Sequence, residues 1–279
     1  MSFVKVRDVL RIVDQANTAA IGFNCLDYNT VYSVITVAQE LQKPVICTLY
    51  PEHAYRNNTM SLAGFATIVR DLAEKVSVPI AVHLDHSSDP DYIVEAIKNG
   101  FSSVMYDGSL LPLEENISNT RKVVETADKF GVDVEAELGR VGFAAQSDQD
   151  KSDLYTNPEI AARFVRETGV TSLAIAIGNA HGFYTSTPKL DLERLDKINR
   201  ATDVYLVLHG GSGIPQEQIE QSFRLGINKL NVGTEFLKIY KDSTAKHAGD
   251  GSLAPENVPV KVQGDLMAYL RERLALTKI

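Results

Sequence analysis

Residues 78–86 read Val-Pro-Ile-Ala-Val-His-Leu-Asp-His. An apolar run, 78–82, closes on His83-Leu84-Asp85-His86, so an acid and an imidazole sit together where a buried strand meets solvent. Two further histidines recur in the same setting. His181 follows Leu173-Ala174-Ile175-Ala176-Ile177, and His209 follows Tyr205-Leu206-Val207-Leu208. Three distant strand ends each deliver an imidazole. A barrel, whose strand ends converge on one face, assembles a catalytic metal site in this way.

Working outward, short β-like runs alternate with helical patterns. The runs are 19–25, 44–49, 79–85, 102–107, 133–138, 172–178, 205–210 and 227–232. They are largely apolar rather than alternating, which suits parallel strands covered on both faces. Between them Val31, Val34, Ile35 and Ala38 make one helical stripe. Asp89-Pro90 and Asn157-Pro158 start helices that stop at Gly100 and Gly169, and Pro215 lies near the start of one that stops at Gly226. The N-terminal residues read as an amphipathic helix. Eight strands, each followed by helical sequence, predict an α/β protein, a (β/α)8 or TIM barrel. Residues 1–279 form one domain, with a closing helix at 265–276 after a Gly/Pro-containing segment at 248–259. A doubly wound open sheet is the alternative. The polar segment 143–154 reads as a loop over the site.

Composition narrows the function. The chain of 279 residues is 44% hydrophobic and 23% charged, which predicts a sizeable core. Its net charge of −8, with no basic run, argues against a nucleic-acid partner. No apolar run reaches the ~20 residues a bilayer span needs. With no signal-peptide pattern at the N-terminus, a cytoplasmic protein is expected. Two cysteines, Cys25 and Cys47, are too few for a disulfide framework or a cysteine zinc site, and read as buried thiols.

Polar groups cluster at the C-terminal ends of the strand runs. They are Asn24, Asp85, His86, Asp107, Glu135, Glu137, His181, His209, Ser212, Asn231 and Thr234. His86, His181 and His209 form a plausible three-imidazole site for a divalent metal, with a coordination position left open. Asp85 beside a ligand is placed for proton transfer or for orienting a histidine. Glu135 and Glu137 share a strand face, and one of them is a candidate extra ligand. His83 reads as a core histidine, and His53 and His247 as surface residues. Glycine-rich stretches follow strands six to eight, at 178–182, 210–213 and 231–234. Loops after strands seven and eight are a recurrent phosphate site in this fold, with Ser212 and Thr234 adding hydroxyl donors.

Together these stretches resemble the class II, metal-dependent ketose-bisphosphate aldolases, in their fructose- and tagatose-bisphosphate branch. The matching motifs are GFN (22–24), VHLDHSSD (82–89), SVMYDGS (103–109), VEAELGRVG (134–142), LAIAIGNAHGFY (173–184), LVLHGGSGIP (206–215) and INKLNVGTE (227–235). The resemblance spans nearly the whole chain. It implies a lyase of carbohydrate metabolism that reversibly cleaves a 1-phosphorylated ketose to dihydroxyacetone phosphate and an aldehyde. It implies His86, His181 and His209 as zinc ligands, Glu137 as an alternative ligand, and Asp85 as the proton shuttle. Asp107 and Glu135 match positions that hold a further metal in some members. Asn24, Gly182, Gly210, Gly211, Ser212, Asn231, Val232, Gly233 and Thr234 match the dihydroxyacetone-phosphate side. A monovalent cation, Na+ or K+, near Gly182 and Ser212 and a homodimer or homotetramer are further expectations. Lys229 has no role in that scheme.

Two stretches depart from the family pattern. Leu49-Tyr50-Pro51-Glu52-His53 stands where a serine and glycine are common, which makes Tyr50 an aldehyde-side candidate. FAAQSDQDKSD (143–153) replaces a glycine followed by paired acids, leaving Asp148 and Asp150 as weak counterparts. A metal-dependent hydrolase on the same barrel is the alternative enzyme, but the first strand lacks its usual H-x-H pair. An aldolase of a ketose 1-phosphate lacking the second phosphate is the alternative substrate reading. A binding protein on an inactive barrel predicts broken metal or acid positions, and none is broken.

Overall fold

The computed structural model describes residues 2–54, 60–143, 154–184 and 186–279. Its centre is a closed parallel barrel of eight strands. These are β1 (Ala20–Asn24), β2 (Val45–Leu49), β3 (Ile80–Ser87), β4 (Ser103–Tyr106), β5 (Asp133–Leu138), β6 (Ser172–Ile175), β7 (Tyr205–Leu208) and β8 (Ile227–Val232). Each pairs with its neighbours in sequence, and β8 closes on β1 through Ala20↔Lys229 to Phe23↔Val232. All eight runs read from the sequence are therefore barrel strands. Run 172–178 is shorter as a strand. The Ala176 and Ile177 amides leave the ladder and donate to Thr156 Oγ1 (2.9 Å) and Asn179 Oδ1 (2.8 Å).

The helices start and stop for local reasons. Asp27 caps helix Tyr28–Leu41 in a reciprocal bond with Thr30. Asp89 and Asn157 cap Pro90–Lys98 and Pro158–Thr168, each with proline in the first turn. Gly169, at φ 72°, ends the latter in the left-handed region. The closing helix begins at Val258, not 265, because Pro259 lies in its first turn, where a missing N–H costs nothing. It packs against helices Tyr28–Leu41 and Thr234–Ala248.

Packing explains why the strands look apolar. Their outward residues, such as Ile21, Phe23, Val82, Leu84 and Leu208, join the main core under the helices. Inward residues divide by height. At the N-terminal end Ala20, Ile46 and Ala81 meet Val6, Val9, Leu10 and Val13 of helix Val6–Gln15, which plugs that mouth. Farther along β2, β3, β5 and β8 the inward positions turn polar, with Thr48, His83, Asp85, Glu135, Glu137, Lys229 and Asn231 all buried. Cys25 and Cys47 are buried free thiols. No helix among the described residues is long and apolar enough to cross a membrane. The expected loop at 143–154, with Asp148 and Asp150, lies almost wholly outside the described residues.

Candidate active site

The polar layer sits at the C-terminal mouth. His86 lies near the end of β3, His209 directly after β7, and His181 in a short strand, Ala180–His181, that pairs with Gly142–Phe143. Strict alternation would turn His86 away from Asp85. The chain avoids this with a register shift between Leu84 and Ser87 and a positive φ of 38° at His86. Such a conformation costs a non-glycine residue ~1–3 kcal/mol, and is held only where the surroundings over-determine it. As a result Asp85 and His86, adjacent in sequence, both reach the mouth.

The three imidazoles converge. Ring centroids are 4.5 Å apart for His86–His209, 4.9 Å for His86–His181 and 5.8 Å for His181–His209. One ligand atom from each lies within 4.8 Å of the others. His86 Nδ1 is 2.9 Å from Asp107 Oδ2, and His209 Nε2 is 2.9 Å from Glu135 Oε1. Burial would raise both carboxyls, but His86 holds Asp107 low, while Lys229, His83 and His209 hold Glu135 low. Ionised carboxylates only accept, so both of these ring nitrogens carry hydrogen. That leaves a lone pair on His86 Nε2 and another on His209 Nδ1, and these two atoms face each other at 2.7 Å. Two lone pairs at that distance require a cation or a proton between them. In the metal-free site a proton serves: burial opposes charge on His86, yet Asp85, Asp107 and Glu137 raise it to about 9. His181 is pushed down to about 3 by burial and by repulsion from His86 and His209. Donor chemistry and convergence both fit a divalent ion.

Asp85 is the most constrained acid in the mouth. Asn24 Nδ2 donates to its Oδ2 (2.8 Å) and Asn231 Nδ2 to its Oδ1 (2.9 Å). Burial works against its charge, but His86, His209 and Lys229 hold the carboxyl well below the usual range. Asn24 and Asn231, read from sequence as substrate contacts, thus hold the acid here. Asn231 Oδ1 and Thr48 Oγ1 are buried with no hydrogen-bond partner among the described residues, which leaves acceptors for a ligand hydroxyl.

The carboxylates divide differently from the sequence reading. Glu135 is not placed to ligate a further metal: His209 occupies one oxygen, and Lys229 (2.7 Å) and Ser172 (3.2 Å) the other. The group that converges is His86, Asp107 and Glu137. Glu137 Oε2 is buried with no hydrogen-bond partner among the described residues, and burial together with Asp107 lifts that carboxyl to about 8.

The glycine loops meet beside this centre. Gly210, at φ 66°, passes so close to Ala180 that a Cβ would lie 2.1 Å from the Ala180 carbonyl oxygen. The Tyr184 hydroxyl ties the same loops, accepting from Ala180 N (2.8 Å) and donating to Gly210 O (3.2 Å). Not every amide there is open to an anion. Gly211 N donates to Asn231 O, and Gly213 N to Glu235 Oε1, both at 3.0 Å. Ser212 is buried, with its Oγ accepting from Glu235 N (3.2 Å). Helix Thr234–Ala248 begins directly after Gly233, so its first-turn N–H groups belong to this corner, with Val232 buried beneath. A Cβ on Gly182, at φ 88°, would meet nothing within 4 Å among the described residues.

Tyr50 stands at the mouth, its ring 6.1 Å from His86 and edge-on to it, and 4.9 Å from His53. His53, expected at the surface, is part-buried and lowered by burial, with Asp85 and Glu52 pulling the other way. Its place after β2 was the available signal. His247 also leaves the surface, meeting Asp265 Oδ2 at 2.9 Å and linking the last two helices. His83 is fully buried, as its strand position predicts, with Nδ1 2.9 Å from Ser103 Oγ.

Comparison with known proteins settles the family. The profile described as fructose-bisphosphate aldolase class-II matches residues 4–277. This chain belongs to that family. The chain is 40% identical over 253 residues to the D-tagatose-1,6-bisphosphate aldolase subunit GatY of Klebsiella oxytoca, covering 88% of this chain and 86% of the relative. Among solved structures it is similar to the YdjI aldolase of Escherichia coli K12, with a TM-score of 0.88 and 32% identity over 99% of this chain and 97% of that one. The fructose-bisphosphate aldolase of Campylobacter jejuni, at 23% identity and a TM-score of 0.84 over 99% and 95%, shares the fold. The protein is a class II aldolase, a carbon–carbon lyase, on a TIM barrel.

Proposed function

We propose that His86, His181 and His209 hold one zinc ion, and that the site cleaves a 1-phosphorylated ketose to dihydroxyacetone phosphate and an aldehyde. The observation that carries this is the convergence of the three imidazoles, with His86 Nε2 2.7 Å from His209 Nδ1 and the far nitrogen of each of these rings on a carboxylate. Bound there, the ion supplies an electrophile that polarises the ketone carbonyl and stabilises the electron pair released when C3–C4 breaks.

The remaining roles belong to the chain's own side chains. Asp85, ionised and held at both oxygens, takes the proton of the C4 hydroxyl in cleavage and returns it in condensation. The corner formed by Gly182, Gly210, Ser212, Gly233 and Thr234 receives the 1-phosphate and orients the reacting carbons. Asn231 Oδ1 and Thr48 Oγ1 accept hydroxyl hydrogens of the bound substrate. A Na+ or K+ ion near Gly182 and Ser212 would serve the same phosphate. Asp107 and Glu137, rather than Glu135, would hold any further divalent metal. Glu137 is also the alternative zinc ligand, its open oxygen 3.9 Å from His86 Nδ1.

Fructose 1,6-bisphosphate and tagatose 1,6-bisphosphate are the first substrates to consider, given the name of the Klebsiella relative. Tyr50 bears on the aldehyde half: its ring stands beside His86, where a small donor would suit a phosphate better. A phosphoketose whose aldehyde fragment lacks phosphate fits that wall. The protein acts in the cytoplasm as a homodimer or homotetramer on this reading. A panel of 1-phosphoketoses, read by release of dihydroxyacetone phosphate with and without chelator, tests it. Chelator-insensitive turnover would remove the metal reading, and high efficiency on both bisphosphates would remove the altered-aldehyde reading.

A further inference from the structure

Lys229 has no place in the reaction above, yet it is fully buried inside the barrel. Its ammonium lies 2.7 Å from Glu135 Oε2, and Glu135 Oε1 lies 2.9 Å from His209 Nε2. Lys229 is on β8, whose ladder partners are β1 and β7, whereas Glu135 is on β5. The pair therefore crosses the barrel interior instead of following a ladder. Gly22 on β1 borders the crossing: a Cβ there would press on Asn231 Oδ1 (3.0 Å) and Thr48 Cγ2 (3.1 Å) and touch Lys229 Cε at an ordinary contact distance of 3.5 Å. Replacing such a buried ion pair by apolar side chains is often neutral or stabilising. Met105, Ala174 and Val207 pack apolar groups together inside the same barrel. Fold stability thus gives little reason for a lysine here, and the far end of the contact chain gives a better one.

We propose that Lys229 and Glu135 are positioning residues for the metal centre. Lys229 anchors one carboxylate oxygen from the far wall, and the other oxygen fixes His209 with hydrogen on Nε2 and Nδ1 turned toward the ion. An ammonium only donates, which keeps the facing carboxylate an acceptor, so His209 Nε2 must supply the hydrogen in their contact. Ser172 Oγ, 3.2 Å from the same Oε2, reinforces the anchor. The inference rests on the metal reading above. The histidine proton is read in the metal-free protein, so its failure is distinct from a failure to cleave phosphoketoses.

Long-range 15N–1H NMR of histidine-labelled, metal-free protein reports the proton of each ring, and chelator competition reports zinc affinity. Wild type is expected to show His209 protonated on Nε2. Lys229→Met is expected to populate the other tautomer of His209 and to weaken zinc binding about 10–100-fold, the usual effect of losing an outer-shell partner. Glu135→Gln has a single acceptor oxygen, which the Lys229 ammonium claims, so its amide N–H turns toward His209 Nε2; this variant is expected to favour hydrogen on Nδ1 and to weaken zinc by a similar factor. Hydrogen on His209 Nδ1 in wild type overturns the proposal without any variant. So does a folded Lys229→Met protein that keeps its tautomer, whether or not zinc affinity falls.

Discussion

His86 Nε2 lies 2.7 Å from His209 Nδ1, and the far nitrogen of each ring meets a carboxylate, Asp107 for one and Glu135 for the other. The site is therefore arranged to offer lone pairs to a cation, and in the metal-free protein a proton stands in for it. Because a ligand must release its proton to bind metal, zinc affinity should rise with pH until His86 is neutral, near 9. Isothermal titration in two buffers of different ionisation enthalpy, at pH 7, should count close to one proton released per zinc. A count of zero would mean that His86 is already neutral.

Metal-free stability follows from the same groups. His86 is raised to about 9 in the folded chain from an unfolded value of 6.5, so its contribution is complete below 6.5 and lost as pH climbs through 9. Glu137, raised to about 8, loses its contribution as pH climbs through 8, in the same direction. His83 and His181, both lowered to about 3, act on the acid side, where stability falls as pH drops below 6.5. The melting temperature of metal-free protein should therefore fall between pH 6.5 and 9, and zinc should stabilise most at the upper end. A flat or rising alkaline limb would contradict the assignment of the shared proton.

Asp85→Asn keeps the shape of the acid and removes its basicity. It should lower kcat about 10²–10⁴-fold, the range for loss of a general base, while zinc stays bound. Zinc content measured beside single-turnover kinetics separates this from loss of the metal. Unchanged kcat would move the proton shuttle elsewhere.

Tyr50→Ser should raise kcat/KM for ketoses that carry phosphate at the aldehyde end, by about tenfold or ~1.4 kcal/mol of transition-state binding. The KM for dihydroxyacetone phosphate in condensation should stay constant, because Tyr50 follows β2 whereas the glycine loops follow β6, β7 and β8. Equal shifts in both parameters would show that Tyr50 supports the whole mouth instead.

Two glycines test the phosphate corner. Gly210→Ala would drive a Cβ to 2.1 Å from a backbone oxygen at a left-handed φ of 66°, and should cost about 3 kcal/mol or more. Gly182→Ala meets the left-handed penalty, ~1–2 kcal/mol, since no described residue lies within 4 Å of the added Cβ. Denaturant melts of the two variants should differ in that order.

The sequence made the barrel legible because parallel strands under helices bury both faces, so each run stands out as apolar. Its ends were less legible. The run 172–178 carries apolar residues past Ile175, where side chains of Thr156 and Asn179 capture the backbone amides. The three histidines and Asp85 could be seen because each ends a strand. The cross-barrel pair of Glu135 and Lys229 could not, because their meeting depends on closure of the sheet, and nothing near either residue names the other. His86 and Asp85 share a face only through the positive φ at His86, which periodicity does not foresee.

The most direct measurement is aldolase activity against bound zinc. Protein stripped with chelator and titrated with zinc, assayed by release of dihydroxyacetone phosphate, should gain activity linearly to one zinc per chain and no further. His181→Ala protein should fail to recover over the same range. Full activity in stripped protein, or in His181→Ala at matched zinc, would contradict a three-histidine metal centre.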